Sequence, residues 1–426
     1  MSFALQIGLA LASVGILIGL IAAVRFLAQQ QGWPAELQRK LVHIGTGLYA
    51  LALPWLFAED WPIYLLLGLA LIVMTGLRFA KGGLGGALHS VERNSYGDYL
   101  LAVAIGAVLL LSDRDMLLYA LPLSVLALSD AAAALAGSTY GRRFYTVEDG
   151  HKSFEGSAIF FLVTLVLAMS ILILTQTQTG PETLLLALLV AVFGTQFEAD
   201  SWRGFDNLFL PLGLLIILAV HRDSPVETLL ALALIYLTAL STVPLISGYL
   251  KITAHVARVY LVAFFLILSV TEWSNAILPA CVLAAHLVTR RAAPSDDPFP
   301  ELDVVAALAL ISFGWLAIGV ATGANALGFY AMTCAGLAAG LVALARPVLG
   351  GVTAVILVLA CAILVPLSGE AVGANLVLLS ALTTAVVVVI AALRSAAFKR
   401  LRVLKLTLLA LLVPLAAYAF QFGGLV

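Results

Sequence analysis

Residues 116–137 read MLLYALPLSVLALSDAAAALAG, and Asp130 is the only charged residue among them. An α-helix needs about 20 apolar residues to cross a bilayer. Similar apolar runs, separated by short polar breaks, continue along the whole chain. With 63% hydrophobic and 11% charged residues among 426, and a mean hydropathy of +1.11, the composition is that of a membrane protein and not of a soluble domain. We therefore predict an all-α fold, a polytopic helical transmembrane bundle.

The apolar runs predict about 16 membrane spans. These are residues 3–27, 41–57, 62–79, 98–112, 116–137, 156–175, 182–198, 206–221, 226–246, 255–271, 273–289, 303–322, 326–345, 348–367, 372–393 and 403–423. The first run has no basic segment before it and is too long for a secretory signal, so we expect it to be retained as a span.

Basic residues predict the orientation of the bundle. When alternate breaks are assigned to opposite faces, all of the 22 Lys and Arg residues except Arg114 and Arg222 fall on one face. Cytoplasmic loops are enriched in Lys and Arg. We therefore predict that the basic face is cytoplasmic and that both termini lie on the non-cytoplasmic side.

Polar residues other than anchoring cations are concentrated in the first half of the chain. We predict an N-terminal span and loop at residues 1–34, a core that carries the chemistry at 35–221, and an additional membrane domain of unknown role at 222–426. The formal net charge of −1 gives no reason to propose a nucleic-acid partner. The three cysteines lie in apolar stretches and support neither a disulfide framework nor a metal site.

The first candidate cluster lies at the cytoplasmic start of the second predicted span. Arg39 and His43 are four residues apart and share a helix face, and Lys40 lies between them. Two cations and an imidazole suit an anionic ligand such as phosphate. The alternative is that the two cations anchor the helix at the membrane surface and that His43 is a satisfied histidine within the bundle.

The second cluster surrounds Asp130. An ionisable group inside a span is costly unless it faces a polar cavity or a partner. The carboxylate could hold Mg²⁺ or accept a hydroxyl proton, and the alternative is a structural ion pair within the membrane. Gly137, seven residues later, shares its face, and the following turn with Arg142 and Arg143 could cradle phosphates, although it lacks the Walker pattern.

Two further clusters lie in later breaks of the same face. Lys152, Glu155 and Gly156 precede the sixth span, where Lys152 and Glu155 could instead form a surface pair and Ser153 could cap the helix. Glu198 and the pair Asp206-Asn207 flank the next break, where acidic residues also favour a helix N-terminus. Together the clusters supply cations for a triphosphate, carboxylates for a metal and a base for a hydroxyl, as phosphoryl transfer requires.

These motifs, in this order, resemble the dolichol kinase and phytol kinase family. The resemblance covers about residues 35–220. It is carried by RKLVHIGTG at 39–47, Ser95–Gly97, SDAAAALAGSTYGRR at 129–143, KSFEGS at 152–157, and Glu198 with DNLFLP at 206–211. The resemblance implies an integral membrane kinase that phosphorylates a lipid alcohol of the phytol, dolichol or polyprenol class, with CTP as co-substrate and a divalent cation, Mg²⁺.

Roles within these motifs are our inference. We expect one group of residues to bind the nucleotide phosphates, a second group to bind the metal and a third to act in catalysis, with Asp130 in both the second and the third. The nucleotide group is Arg39, Lys40, Gly137, Arg142, Arg143, Lys152, Glu155 and Gly156; the metal group is Asp130, Asp206 and Asn207; the catalytic group is Asp130, His43 and Glu198.

Two other functions stay open at the level of sequence. A lipid cytidylyltransferase would also use CTP and Mg²⁺, but the acidic, glycine-rich signature of that family is missing near the C-terminus. A transporter or flippase would suit the many spans and an intramembrane Asp130, yet it should place polar groups near the midplane of both halves. The second half has few. The extra spans after residue 221 also depart from many family members, which have fewer spans or carry them before the core.

Overall fold

The computed structural model describes residues 2–79, 96–148, 150–176, 180–271, 273–346 and 374–422. The chain forms two compact units, residues 1–258 and 259–426. Our sequence boundary at residue 221 rested on the loss of polar breaks, whereas the first compact unit continues to Arg258.

The described part of the first unit consists of helices and one small hairpin. Its helices are α1 (Phe3–Gln31), α2 (Ala35–Leu56), α3 (Trp61–Phe79), α4 (Gly97–Ser112), α5 (Met116–Ser124), a π-helical turn (Val125–Ser129), α6 (Asp130–Tyr140), α7 (Phe154–Leu174), α8 (Pro181–Ala199), α9 (Asp206–His221), α10 (Val226–Leu250) and α11 (Ala254–Val270), which continues across the unit boundary. Strands β1 (Phe144–Val147) and β2 (Gly150–Ser153) pair antiparallel, with Tyr145 opposite Lys152. The hairpin lies in the break between the spans predicted at 116–137 and 156–175, and among the described residues it is the exception to the all-helical prediction.

The second unit contains α12 (Trp273–Ala292), α13 (Pro300–Thr322), α14 (Leu327–Leu344), α15 (Ala374–Leu393), a 3₁₀ turn (Ser395–Phe398) and α16 (Arg402–Phe422). Helix α14 is its centre: its residues from Gly328 to Leu344 are buried except for the half-buried Tyr330, and it packs against α12, α15 and α16. Gly336 and Gly340 let those neighbours approach closely.

Helices occupy all the predicted spans that the structure describes; the span predicted at 348–367 lies outside the described residues. Within the described residues, seven helices are long and apolar enough to cross a membrane: Phe3–Gln31, Met116–Tyr140, Phe154–Leu174, Pro181–Ala199, Pro300–Thr322, Leu327–Leu344 and Arg402–Phe422. Shorter apolar helices account for other predicted spans. These helices make the chain an integral membrane protein, while the total of 16 spans and the orientation stay predictions.

Helix α9 is the centre of the first unit. Its residues from Leu208 to Leu215 are all buried, and it packs against α4, α5 and α8. Apolar side chains around its whole circumference are typical of a helix enclosed by other helices. Because α9 begins at Asp206, this enclosed helix places that acid at one end of the unit.

Polar side chains separate into two groups at opposite ends of the first unit. At one end, Arg114 pairs with Asp60 at 2.6 Å and Arg222 pairs with Asp115 at 2.8 Å. These are the two arginines that the sequence separated from the other basic residues, and both are neutralised by acids of neighbouring turns. The candidate site residues lie at the other end.

Candidate functional site

The centre of the site is an ion pair between α2 and α6. Lys40 Nζ lies 2.6 Å from Asp130 Oδ2, and the two side chains are only 3% and 8% exposed. His43 Nε2 lies 3.5 Å from the same carboxylate oxygen and 3.0 Å from the Leu126 carbonyl oxygen. The buried Asp130 predicted from the sequence therefore has a cation and an imidazole as its partners.

The local backbone explains how these three side chains meet. The helix that contains Asp130 is interrupted by the π-helical turn at Val125–Ser129, a feature that is frequent at functional sites. Gly47 lets α2 approach this turn, since a Cβ atom on Gly47 would lie 2.3 Å from the Ala127 Cβ. The close approach places Lys40 and His43 against Asp130.

Arg39 lies at the outer edge of the same helix end. Its Nη2 atom lies 2.7 Å from Glu36 Oε1, one turn earlier, and its side chain is 54% exposed. Burial opposes ionisation of Glu36, but Arg39 overcomes this and holds the pKa of Glu36 below its usual value. Burial likewise opposes the charged form of Arg39 and lowers its pKa. Glu36, Asp130 and Asp206 outweigh this effect and together raise the pKa of Arg39 above its usual value.

A second buried ion pair joins β2 to the end of α8. Lys152 Nζ lies 2.7 Å from Glu198 Oε1 and 3.1 Å from Ser201 Oγ, and it also donates to the Glu198 carbonyl oxygen. Burial would lower the pKa of Lys152, but Glu198 and then Asp206 outweigh it, so the pKa lies above its usual value. These acidic neighbours therefore favour the charged form of Lys152.

Gly137 and Gly156 lie where α6 crosses α7. A Cβ on Gly156 would lie 2.9 Å from the Ala133 carbonyl oxygen, and one on Gly137 would lie 2.8 Å from Ser153 Oγ. The Ser153 hydroxyl accepts a hydrogen bond from the Gly156 N–H at 3.0 Å, which confirms the predicted helix cap. In the structure both glycines serve a close helix crossing, which brings Lys152 near the end of α6.

The predicted arginine turn forms the exposed edge of the site. Arg142 and Arg143 are exposed, and the Arg143 N–H lies 3.3 Å from both carboxylate oxygens of Glu155. An open pocket of about 500 Å³ adjoins this turn, and its lining residues are Thr139, Tyr140, Gly141, Arg142 and Glu155. The arginines are thus accessible to a ligand from water.

Asp206 and Asn207 begin α9 and have different surroundings. The Asn207 amide donates to the Gly97 carbonyl oxygen at 2.8 Å and so holds the start of α4. The Asp206 side chain is half-buried, and it has no hydrogen bond or ion pair within the described residues. Its charge nevertheless acts on both Arg39 and Lys152.

The predicted residues therefore fall into three groups. The structure brings the first group together at one end of the unit, the second lies on the exposed edge, and the third supports helix contacts. The group that is brought together consists of Arg39, Lys40, His43, Asp130, Lys152, Glu198 and Asp206. The group on the exposed edge consists of Arg142, Arg143 and Glu155. The group that supports helix contacts consists of Gly137, Gly156 and Asn207.

Sequence reasoning assigned no role to several residues that border the site. Asp200 is 3% exposed and pairs with Arg258 at 2.7 Å, and burial raises its pKa while Arg258 offsets this only in part. His255, which contacts the Asp200 carbonyl oxygen, and Glu36, which pairs with Arg39, are the other two residues at the border of the site that the sequence did not indicate. An acidic residue two positions after Glu198 was visible in the sequence, but its basic partner lies 58 residues away, beyond the predicted core.

The fit to Mg²⁺ differs among the predicted ligands. Asp206 offers a carboxylate that no described residue engages, and the bond from Asn207 to Gly97 uses the amide nitrogen and leaves the amide oxygen available. Asp130 does not fit as the chain stands, because Lys40 engages its carboxylate. Among the described residues there is no group of three or more His, Cys, Asp or Glu side chains that could hold a metal ion.

The fold and site define an integral membrane protein with a charged, partly buried centre at one end of its first helical unit. Over 182 residues, the chain is 34% identical to the phytol kinase of Synechocystis sp. (strain ATCC 27184 / PCC 6803 / Kazusa), a match that covers 42% of this chain and 77% of that relative. The chain belongs to the phytol kinase family through this part of its length. No protein-family model matches it, and no solved structure does.

Proposed function

We propose that the protein is a lipid-alcohol kinase that transfers the γ-phosphate of CTP to an isoprenoid alcohol of the phytol, dolichol or polyprenol class. One observation carries the proposal: a relative named phytol kinase matches a chain whose first unit gathers cations, carboxylates and an imidazole at one end of an apolar bundle. The lipid alcohol would enter from the bilayer and the nucleotide from water, on the face that we predict to be cytoplasmic.

The exposed edge suits the nucleotide phosphates. Arg142 and Arg143 are exposed, and a pocket of about 500 Å³ adjoins them. A guanidinium group can donate two parallel hydrogen bonds to the oxygens of one phosphate. Lys152 is already held by Glu198, so its charge would act on the phosphates while its position stays fixed. We assign the triphosphate to these three cations.

His43 is our candidate for the group that accepts the hydroxyl proton. When His43 Nε2 carries its proton toward the Leu126 carbonyl oxygen, Nδ1 is left as a proton acceptor. Asp130, 3.5 Å from Nε2, would stabilise the imidazolium formed by proton transfer. Glu198 is the less suitable base, because Lys152 already engages its carboxylate.

Asp206 is our candidate for the protein's metal ligand, with Asn207 beside it. Mg²⁺ usually binds through one or two carboxylates together with substrate phosphates and water, so a site with few protein ligands suffices. When bound, Mg²⁺ would neutralise negative charge on the phosphates. Because Lys40 pairs with the Asp130 carboxylate, we propose that Asp130 stabilises the charged form of His43 and is not a metal ligand.

The reaction conserves atoms and charge as follows. The alcohol oxygen forms a bond to the γ-phosphorus while its proton passes to His43, and the bond between the γ-phosphorus and the bridging oxygen breaks. The products are a lipid monophosphate and CDP.

The test uses purified protein with Mg²⁺, γ-labelled CTP or ATP, and a panel of phytol, geranylgeraniol, a long polyprenol and diacylglycerol. We expect label in the phosphate of an isoprenoid alcohol, more from CTP than from ATP, and no transfer after chelation of the metal. Label in no lipid at all would contradict the proposal and would favour a transporter.

A further inference from the structure

A segment at the start of α11 holds the tip of the β-hairpin. Thr253 Oγ1 donates to Glu148 Oε1 at 2.8 Å, and His255 Nδ1 accepts a hydrogen bond from the Glu148 N–H at 3.1 Å. Glu148 lies in the turn between β1 and β2. Both bonds join residues that are more than 100 positions apart in the chain.

The same segment holds the turn that follows α8. His255 Nε2 lies 2.8 Å from the Asp200 carbonyl oxygen, and Arg258 Nε lies 2.7 Å from Asp200 Oδ1. Because Nδ1 accepts from Glu148, the His255 proton must be on Nε2, where it donates to Asp200. His255 therefore links the hairpin directly to the turn.

These two attachment points flank the ion pair of Lys152 with Glu198. Lys152 lies on β2 opposite Tyr145, and the Arg258 guanidinium lies 5.9 Å from the centre of the Tyr145 ring. Glu198 precedes Asp200 by two residues. The segment thus contacts both the element that carries Lys152 and the element that carries Glu198.

The hairpin depends on such contacts for its position. Each strand has four residues, and a two-stranded hairpin of this kind is at best marginally stable on its own. Removing Arg258 would also leave the Asp200 carboxylate, which is 3% exposed on its side chain, without its cation. Loss of either link should therefore displace Lys152.

We propose that Thr253, His255 and Arg258 are positioning residues of the phosphotransfer site, which fix the hairpin so that Lys152 keeps its place beside Glu198 and its charge acts on the nucleotide phosphates. The inference rests on the proposed function. It extends the functional unit to Arg258, beyond the residues at 35–220 that carry the family resemblance, and it gives a role to part of the chain that the sequence assigned to an additional domain.

The first experiment measures hairpin position without using activity. Amide hydrogen exchange is followed across residues 144–153 in the full-length protein, in the wild type and in Arg258→Ala, His255→Ala and Arg222→Ala. Arg222 is the matched control, because it also joins two elements through one ion pair, of 2.8 Å, at the opposite end of the unit. We expect exchange to accelerate by about tenfold or more in the first two variants only.

The second experiment separates positioning from general destabilisation by steady-state kinetics. We expect Arg258→Ala and His255→Ala to raise the KM for the nucleotide or lower kcat by about 10- to 100-fold, and to leave the KM for the alcohol unchanged. Arg258→Lys and His255→Gln keep a charge or a hydrogen-bonding pair, so they should recover part of the loss. Arg222→Ala should keep wild-type kinetics.

Unchanged exchange in the hairpin of Arg258→Ala and His255→Ala would overturn the inference. So would equal kinetic losses in Arg258→Ala and Arg222→Ala, because a distant ion pair would then matter as much. Failure of the wild-type protein to label any lipid is a different result, which contradicts the proposed function, and the exchange data would still decide whether the segment positions the hairpin.

Discussion

At the scale of single residues, Asp130 and Lys40 form a charged pair that is almost closed to solvent. Removing one member of a buried ion pair costs about 3–5 kcal/mol, because the remaining charge has no partner. The pair is therefore important for stability as well as for the proposed chemistry, and single substitutions must be interpreted with a companion variant.

We expect Lys40→Ala to lower the free energy of unfolding by about 3–5 kcal/mol. The double variant Lys40→Met, Asp130→Leu should recover most of that loss, because it removes both charges, and should stay inactive. Unfolding in detergent and phosphate transfer are measured in parallel. A Lys40→Ala protein as stable as the wild type would contradict the observed pairing.

Asp206 provides a test of the metal assignment. We expect Asp206→Asn to raise the Mg²⁺ concentration needed for half-maximal activity by about tenfold or more. Asp223→Asn is the matched control, since Asp223 is an acid at the opposite end of the unit with a side chain that is 81% exposed. An unchanged Mg²⁺ dependence in Asp206→Asn would remove Asp206 from the metal site.

Much at this scale could be predicted from the sequence, because an acid in an apolar run is costly without a partner. The sequence identified Asp130, Lys40, His43, Lys152 and Glu198 as candidates, but it could not pair them, since each ion pair joins two different elements of the fold. It also gave the glycines a role at phosphate, whereas the structure places Gly137 and Gly156 at a helix crossing.

At the scale of elements, the approach of α2 to the π-helical turn determines whether Lys40 and His43 reach Asp130. We expect Gly47→Ala to destabilise the protein by about 1–3 kcal/mol through overpacking against Ala127, and to reduce activity. Gly68→Ala in α3 is the control, because no atom of the described residues, apart from its own helix backbone and chain neighbours, lies within 4 Å of the added Cβ, and we expect it to be neutral or stabilising. Equal activity in both variants would contradict this role for Gly47.

Helix positions were predictable at this scale because runs of about 20 apolar residues have few other stable structures in a membrane. The hairpin and its position were not predictable from the sequence. Its strands have only four residues each, and their position depends on Thr253, His255 and Arg258, which lie about 100 residues later. Periodicity within the segment carries no information about such contacts.

At the scale of the whole molecule, the account predicts which end of the first unit faces the cytoplasm. We expect Thr146→Cys, at the end with the site, to be labelled from the cytoplasmic side, and Asp223→Cys from the opposite side. Both positions are exposed, and the test is run with Cys281, Cys334 and Cys361 replaced. Labelling of both cysteines from one side would contradict the arrangement of the two ends.

The second unit is the part of the molecule about whose function the sequence indicates least. Its helices were predicted from hydropathy, and a polar break separates the spans predicted at 273–289 and 303–322. In the structure this break is held to the start of α16, because Asp297 accepts hydrogen bonds from the Leu401 and Arg402 N–H groups at 2.6 and 3.2 Å. Such contacts describe how the unit is held together and assign it no chemistry.

The measurement that tests the central claim most directly follows both ends of the nucleotide. CTP labelled at the γ-phosphate, and in parallel at the α-phosphate, is incubated with phytol and Mg²⁺ and either the wild-type protein or Asp130→Asn, with insertion and folding of both verified. The account predicts γ-label in the lipid, α-label in CDP, and neither product from Asp130→Asn. Lipid carrying the α-label with release of pyrophosphate, or equal transfer by Asp130→Asn, would contradict it.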